Sequence, residues 1–277
     1  MITINIPLTE TTYVYHYTSA EIATKYILKD KRIRFNPFEN VNDPREYKQF
    51  EFTCFMPIES HIPLEEFQAL TEEMARSFKR NVKVACFSLD RKIDIESMWR
   101  EPHTRRGWAR PSMWHHYAAK HNGLCLIFNR ERLGIQLSKE LQSAHLISGK
   151  VEYSNRGAIP NLSSDPYVID FFGSMNAFDR AQMHLSKWAS RLYFRKLEDW
   201  SNETEYRWVY LDASTGPRDV PFGDSLEAVV VGENVDKCNR EAVNEYCKQA
   251  EIEICTLNWK NGFPYPNPVI WARAPRG

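Results

Sequence analysis

The segment VKVACFSL, Val82 to Leu89, decides the fold because it is apolar at most of its positions. A strand with one solvent-facing side alternates apolar and polar residues, whereas a strand buried on both faces reads as a nearly continuous apolar run. The segment therefore predicts a central strand that is covered on both faces. GLCLIFN, Gly123 to Asn129, has the same character and predicts a second buried strand.

Other segments predict further strands and helices on both sides of these two. Strands are predicted at Thr12 to Tyr17, Arg32 to Asn36, Val151 to Ser154, Glu205 to Asp212, Ala228 to Gly232 and the end of the stretch from Asp236 to Leu257. Helices are predicted from Ser19 to Leu28 after a capping box of Thr18 and Glu21, from Leu64 after Pro63, from Pro111 to about Asn122, over most of Asp165 to Leu197 with a break near Gly173, and at the start of Asp236 to Leu257.

Strands and helices are interspersed along the whole chain, with no repeat and no linker that would mark a boundary. This order favours one α+β domain over residues 1–277. The Pro-rich tail, residues 260–277, is expected to run irregularly over the surface.

The charge balance excludes several classes of protein. The 277 residues include 36 basic and 36 acidic side chains, so the formal net charge is zero. Such a chain has no overall field that attracts nucleic acid or an anionic membrane, and either partner would need a local patch. No run of about 18 apolar residues predicts a membrane span, and the N-terminal stretch MITINIPLTETTYVYH lacks the pattern of a secretory signal. We therefore expect a cytoplasmic protein.

The cysteines and histidines give no sign of a metal site. The six cysteines never approach CxxC spacing, and several lie in apolar strand segments, so we expect reduced thiols. His115 and His116 diverge by about 100° around a helix, which makes a shared metal with His121 improbable.

The first of three candidate site segments is Tyr15-His16-Tyr17-Thr18, at the end of the first strand. A histidine there can exchange hydrogen bonds with a ribose hydroxyl, and the start of the next helix favours a phosphate. The alternative is a histidine packed between two tyrosines on an edge strand.

The second candidate segment joins Ser88, at the end of a buried strand, to the following helix. Trp114, Tyr117 and His121 have i, i+3, i+7 spacing, which places them on one helix face. Such a face could stack on a flat heteroaromatic ring. The commoner alternative is a stripe of core residues.

The third candidate segment is the start of the strand that contains Glu203, Glu205 and Arg207. Period-two alternation sends these three side chains to one face. On a solvated face they would form a weak surface ion pair. In a cleft, a carboxylate kept ionised by Arg207 could stabilise a developing positive charge.

The order of these motifs resembles a widespread bacterial family of uncharacterised domains. The motifs are HYTS, the loop FNPFENVNDPRE, VACFS, SMWHHYAAKHNGLCLIFN, EYRWVY and VVVG, and the resemblance covers about residues 13–232. Relative to that family, Asp90 to Pro111 is an insertion that carries a second Ser97-Met98-Trp99 ahead of Ser112-Met113-Trp114. Which copy has the family role stays open, although only the second continues into HHYA.

The family pattern in turn resembles the ADP-ribosyltransferase superfamily, which implies an α+β fold with a split, mixed or antiparallel β-sheet core and flanking helices. The resemblance also assigns roles to residues. His16, with Tyr17 and Thr18 beside it, would bind the adenosine ribose of NAD, and Ser88 would close the pocket of the nicotinamide ribose. Tyr117 or Trp114 would stack on the nicotinamide. Glu205 would be the catalytic carboxylate, and Glu203 would orient the acceptor.

The resemblance implies an enzyme that uses NAD as a substrate to modify a macromolecular acceptor, either protein or nucleic acid. A toxin or phage-defence effector, held by an antitoxin or inhibitor protein, would fit such an activity. A non-catalytic nucleotide- or protein-binding module on the same scaffold is the alternative. A third class, a nucleic-acid-binding protein, depends on the insertion, where Arg105, Arg106 and Arg110 could dock an acceptor. The alternative is that this arginine-rich segment is an ordinary solvated loop.

Overall fold

A computed structural model describes residues 12–48, 50–55, 63–91, 102–141, 146–155, 166–170 and 177–268. Its strands are β1 (Tyr13–Ser19), β2 (Arg32–Pro37), β3 (Thr53–Phe55), β4 (Val82–Ser88), β5 (Gly123–Asn129), β6 (Leu146–Lys150), β7 (Glu152–Tyr153), β8 (Val168–Asp170), β9 (Arg195–Lys196), β10 (Glu205–Leu211), β11 (Arg218–Pro221), β12 (Leu226–Val231), β13 (Glu253–Lys260) and β14 (Phe263–Pro268). Its α-helices are α1 (Ala20–Ile22), α2 (Pro44–Tyr47), α3 (Leu64–Arg80), α4 (Pro111–Tyr117), α5 (Arg130–Glu140), α6 (Ala177–Tyr193) and α7 (Lys237–Gln249). The predicted α+β class is confirmed.

Ten strands form one mixed sheet in the order β11-β2-β4-β1-β5-β12-β13-β14; β10 branches from β4, and β6 pairs with β10. The β12–β13 pair is parallel, whereas the other pairs of this sheet are antiparallel. Both segments that were predicted to be buried strands, β4 and β5, lie in the interior of the sheet. Side chains cover both faces of the sheet, which explains why these two segments are apolar almost throughout.

The sheet is interrupted between β1 and β4. Along one side β4 pairs with β10 over its whole length, from Val82 to Ser88. On the other side it pairs with β2 at Lys83 and Val84 and with β1 only at Ser88. Positions 85–87 therefore have no strand partner on that side within the part of the chain that the structure describes. A gap opens there between two otherwise continuous parts of the sheet.

The two faces of the sheet carry separate hydrophobic cores. On one face Phe87, Phe128 and Trp208 cluster with residues of α5 and α7, among them Leu133 and Val243. On the other face Val84 and Val209 pack against α3 and α6, and Ile127 packs against Trp114 of α4. Helices on both faces thus fix β4 and β10 in place.

Several predicted helix boundaries differ from the observed ones. Thr18 belongs to β1, and Ser19 is the N-cap, because its side chain accepts a hydrogen bond from the Ile22 N–H at 3.2 Å. The predicted capping box is therefore wrong, and the helix continues as a π-helix, Ala23–Leu28. The helix predicted from Asp165 is wrong at its start, because Val168–Asp170 pairs with β3 as a strand. The predicted break at Gly173 lies outside the described residues.

The tail prediction is also wrong, because Phe263–Pro268 forms an antiparallel edge strand beside β13. Proline is tolerated on an edge strand when its missing N–H would face solvent. Pro264, Pro266 and Pro268 alternate, so the three missing donors lie on the same side of the strand. The intervening residues can still pair with β13. Residues 269–277 lie outside the described residues.

No helix in the described ranges has both the length and the apolar character needed to cross a bilayer.

Gly123 should be intolerant of a side chain, because it begins β5 where two other backbone segments approach it closely. A Cβ there would lie 2.3 Å from the Thr18 carbonyl oxygen and 2.7 Å from that of Ala118. We expect Gly123→Ala to lower the free energy of unfolding by about 1–3 kcal/mol in urea titration. Gly216→Ala is the matched control, since no atom lies within 4 Å of the added Cβ. Equal losses in the two variants would contradict this packing.

Candidate active site

A cleft of about 190 Å³ opens where the β1–β4 pairing stops. It is lined by β1, β2, β4, β10 and α4, together with the loop at residues 40–42. Among its lining side chains are His16, Tyr17, Ser88, Tyr117, Glu203 and Glu205. Three segments that are far apart in the sequence therefore meet at one place.

His16 and Glu205 reach this cleft from opposite faces of the sheet. Tyr15 and Glu205 both pair with Ser88, so these three side chains share one face. His16, the next residue along β1, points to the other face, where its ring centroid lies 5.4 Å from that of Phe87. The gap beside β4 is what allows both residues to line the same cleft. His16 is not packed between Tyr15 and Tyr17, because those tyrosines point the other way.

The protonation state of His16 follows from its contacts. Burial lowers its pKa, although a hydrogen bond with the Cys86 carbonyl partly opposes this effect. Its Nδ1 lies 3.1 Å from that carbonyl oxygen, which can only accept. In the neutral ring Nδ1 must therefore carry the hydrogen, and Nε2 is an acceptor. An acceptor at this position suits a ligand hydroxyl group.

Arg207 is the centre of a buried group of charges. Its side chain is 0% exposed, and it makes two-pronged contacts with two different carboxylates. Nε and Nη2 donate to Glu205 at 2.6 and 2.9 Å. Nη1 and Nη2 donate to Glu46, in α2, at 2.5 and 2.9 Å. The planar guanidinium group thereby fixes the orientation of both carboxylates.

Lys196 completes this charge cluster, which we define as Glu46, Lys196, Glu203, Glu205 and Arg207. Its Nζ lies 2.7 Å from Glu203 Oε2 and 2.9 Å from Glu205 Oε2. Three carboxylates then face two cations, so the cluster has a formal charge of −1; Glu46 lies behind the other four residues, which line the cleft.

The pKa values within the cluster separate Glu205 from Glu46. Burial disfavours ionised Glu205, but the attraction of Arg207 and Lys196 outweighs it and lowers the pKa of Glu205. For Glu46 burial outweighs the attraction of Arg207, and its pKa is raised. Carboxylates attract the proton of Lys196 strongly enough to raise its pKa despite burial. Of these two carboxylates, Glu205 is therefore the one that is held ionised more firmly.

Glu203 lies in a helix that precedes β10, and not in the strand where it was predicted. It ends the 3₁₀-helix Glu198–Glu203, and Thr204 adopts a left-handed φ of 42° before β10 begins. The period-two alignment of Glu203 with Glu205 is therefore wrong. The side chains converge nevertheless, because Glu203 accepts hydrogen bonds from Tyr117 Oη at 2.5 Å and from Lys196 Nζ at 2.7 Å.

Ser88 and Tyr117 lie where a ligand could contact them. Ser88 Oγ is buried and has no hydrogen-bond partner among the described residues. Such a group gains free energy when a ligand supplies a partner. Tyr117 is half-buried, and its hydrogen bond to Glu203 fixes its ring at the cleft wall.

Two other predicted ligand contacts are not part of the cleft wall. Trp114 is fully buried, its Nε1 donates to the Trp108 carbonyl at 2.7 Å, and its ring meets Tyr17 edge-on at 5.3 Å. It is a core residue, as the alternative interpretation held. Thr18 is buried and does not line the cleft. His121 was predicted to share a helix face with Trp114, but α4 ends at Tyr117. His121 lies in the turn that follows, with φ 69°, and its ring stacks on Trp114.

Two of the three arginines predicted to dock an acceptor, Arg106 and Arg110, are buried and do not face solvent. Arg106 is buried and paired with Asp90 at 3.1 Å. Arg110 is 2% exposed and donates to the carbonyls of Asn202, at 3.0 Å, and Glu203, at 2.5 Å. Arg110 therefore fixes the backbone of Glu203 instead of facing solvent. Arg105 is half-buried. Ser97-Met98-Trp99 lies outside the described residues.

Sequence reasoning missed Glu46 and Lys196. Glu46 lies in the quoted loop FNPFENVNDPRE, and that motif was the available signal for it. Lys196 has no comparable signal, because a lysine that follows an amphipathic helix is ordinarily solvated. Only the return of the chain after α6 places it between Glu203 and Glu205.

The chain has similarity to a protein family and to a solved structure. A family model described as "Protein of unknown function (DUF2971)" matches residues 113–208, a span that includes four of the five cluster residues. Among solved structures, Thermus sp. 2.9 DarT in complex with ADP-ribosylated ssDNA is similar at a TM-score of 0.34 and 11% identity, over 89% of this chain and 94% of that chain. A likeness this weak supports no conclusion about the present chain. No curated protein matches it.

Replacing Arg207 should be costly, because two buried carboxylates would lose their shared guanidinium and keep only Lys196 as a cation. We expect Arg207→Met to lower the free energy of unfolding by about 3–5 kcal/mol near neutral pH. In the variant, burial raises the pKa values of Glu46 and Glu205, so protonation as the pH falls should relieve the penalty. The difference from wild type should therefore shrink between about pH 7 and about pH 4 in urea titrations.

Arg34→Met is the control, because it removes an arginine with the same bidentate geometry from an exposed site. Arg34 contacts Asp219 in the same two-pronged way, at 2.8 and 2.9 Å, but its side chain is 50% exposed. We expect a loss of about 0.2–1 kcal/mol. A similar loss in both variants would mean that the Arg207 cluster is not effectively desolvated.

Proposed function

We propose that the chain is an NAD-dependent ADP-ribosyltransferase whose active site is the cleft between β1 and β4. The observation that carries the proposal is that His16, Ser88, Tyr117 and Glu205, taken from motifs in separate segments, line one cleft. The interruption between β1 and β4 also supports the finer prediction of a split sheet core of the ADP-ribosyltransferase type.

The lining groups suit the parts of NAD that they would meet. Tyr117 offers a fixed aromatic face to the nicotinamide ring, and the Ser88 hydroxyl can pair with the nicotinamide ribose. The neutral His16 can accept a hydrogen bond from a hydroxyl of the other ribose. A volume of about 190 Å³ is below the range of about 300–1,000 Å³ typical of ligand clefts. Part of the dinucleotide would thus lie outside the enclosed volume.

The charge cluster suits the chemistry of the transfer. When the bond between nicotinamide and ribose breaks, positive charge develops at C1′, as in glycoside hydrolysis. The nicotinamide nitrogen, formally positive in NAD, leaves with the bonding electron pair as neutral nicotinamide. A cluster of net charge −1 with an ionised Glu205 lowers the energy of that transition state, most effectively where water is excluded. Arg207 and Lys196 keep the carboxylates in place.

One observation favours the alternative of a non-catalytic nucleotide-binding module. Glu205 is held at both oxygens by Arg207 and is also contacted by Lys196, so much of its charge is compensated. This alternative retains NAD binding in the cleft and predicts no bond cleavage. The toxin or phage-defence role and the inhibitor partner stay predictions from the resemblance.

Release of nicotinamide from NAD distinguishes the two functions. We expect the wild-type protein to release nicotinamide, and Glu205→Gln to reduce kcat by about 10²–10³ with a smaller change in KM. Chromatography of the products measures the rate, and circular dichroism checks that the variant is folded. Glu241→Gln, a largely exposed carboxylate on α7, is the control and should keep the wild-type rate.

Two results would count against the proposal. NAD binding without any release of nicotinamide would favour the binding module. Unchanged kcat in folded Glu205→Gln would remove Glu205 from its catalytic assignment.

A further inference from the structure

A second cleft, of about 450 Å³, adjoins the first. Its walls come from the start of α2, one side of α4 and the 3₁₀-helix Glu198–Glu203. The two clefts share Met113 and Glu203. Glu203 therefore stands at the boundary between them, with one oxygen bound to Tyr117 and the other to Lys196.

The lining of the second cleft is acidic. It includes the carboxylates of Asp43, Asp199 and Glu203 against one histidine, His116, and no lysine or arginine among the described residues that form its wall. Lys196 lies behind Trp200, with Nζ 5.2 Å from the ring centroid, but its charge is shared among the carboxylates of the cluster. A phosphate group would be repelled here, whereas a cation would be attracted.

The shape of the lining favours a flat cation. Trp200 is half-buried and lines the cleft, which allows a cation to stack on its indole face. A guanidinium group is planar, stacks on aromatic rings and offers several N–H donors to carboxylates. An ammonium group lacks the plane and is more strongly hydrated.

We propose that the second cleft binds the guanidinium group of an acceptor protein's arginine. This inference rests on the proposed function and identifies its substrate class. Glu203 has accepted two hydrogen bonds, and a carboxylate has about four lone-pair sites, so it can accept from the guanidinium as well. Its position at the boundary places that carboxylate beside both substrates.

The reaction transfers one ADP-ribosyl group from nicotinamide to a guanidinium nitrogen. Glu203 takes a proton from the guanidinium, and the freed nitrogen attacks C1′ of the nicotinamide ribose. The bond between C1′ and nicotinamide breaks, and its electron pair leaves with neutral nicotinamide. The product guanidinium carries the positive charge, and the proton on Glu203 passes to water.

The observations do not favour a nucleic acid as the acceptor. Two of the three arginines predicted to dock one, Arg106 and Arg110, are buried and paired inside the chain, and only Arg105 is half-buried. The cleft next to Glu203 instead has carboxylates where phosphates would have to lie. Charge therefore separates the two classes of acceptor.

Agmatine, which carries a guanidinium group without a backbone carboxylate, is the probe. Titration calorimetry measures its binding, and mass spectrometry after addition of NAD measures ADP-ribosyl-agmatine. The variants are Asp199→Asn and Trp200→Ala, with Glu241→Gln as the control on a remote carboxylate. We expect agmatine to bind and to be modified, and each cleft variant to weaken its binding about tenfold, as for loss of one charge-assisted contact. The control should bind like wild type.

The outcomes separate this inference from the proposed function. Absence of agmatine binding, or equal binding to wild type and Asp199→Asn, would overturn the arginine site. Transfer to a single-stranded oligonucleotide and none to agmatine would also overturn it, while leaving the transferase intact. Agmatine binding weakened in Asp199→Asn, without release of nicotinamide in any mixture, would retain the guanidinium site and overturn the proposed function, and with it the transfer step.

Discussion

The bidentate hydrogen bonds of Arg207 to Glu46 and Glu205 are the interaction on which the rest of the site depends. They join the start of β10 to α2, and Lys196 adds the chain segment after α6. Taking one guanidinium and two carboxylates out of water is expensive unless each group is fully paired. The pairing also fixes the carboxylate of Glu205 at the cleft wall, which is the condition for electrostatic stabilisation without rearrangement.

A second constraint is the gap beside β4. A continuous ladder between β1 and β4 would have placed His16 and Glu205 on opposite sides of a closed sheet. Because only Tyr15 and Ser88 pair, the backbone carbonyl of Cys86 is left for the His16 ring, and both faces become accessible from one cleft. The interruption of the sheet and the chemistry of the site therefore have the same structural origin.

The sequence predicted the features that depend on local pattern and missed those that depend on distant partners. The buried strands β4 and β5 follow from apolar runs, and α3 follows from periodicity after Pro63. Burial of Arg110 could not be predicted, because its partners are backbone carbonyls near residues 89 and 203. The edge strand of the tail was missed because its prolines suggested irregular structure, although their alternate spacing is compatible with an edge. The roles of Glu46 and Lys196 could not be predicted, because they depend on contacts with Arg207 and Glu205, which are distant in the sequence.

The central claim is that the cleft between β1 and β4 holds the nicotinamide end of NAD against Tyr117. Saturation-transfer difference NMR on NAD with the purified chain tests this most directly, because it reports which ligand protons contact the protein. The account predicts stronger saturation of the nicotinamide protons than of the adenine protons, and loss of that preference in Tyr117→Ala. No saturation of NAD, or the same pattern in wild type and Tyr117→Ala, would contradict it.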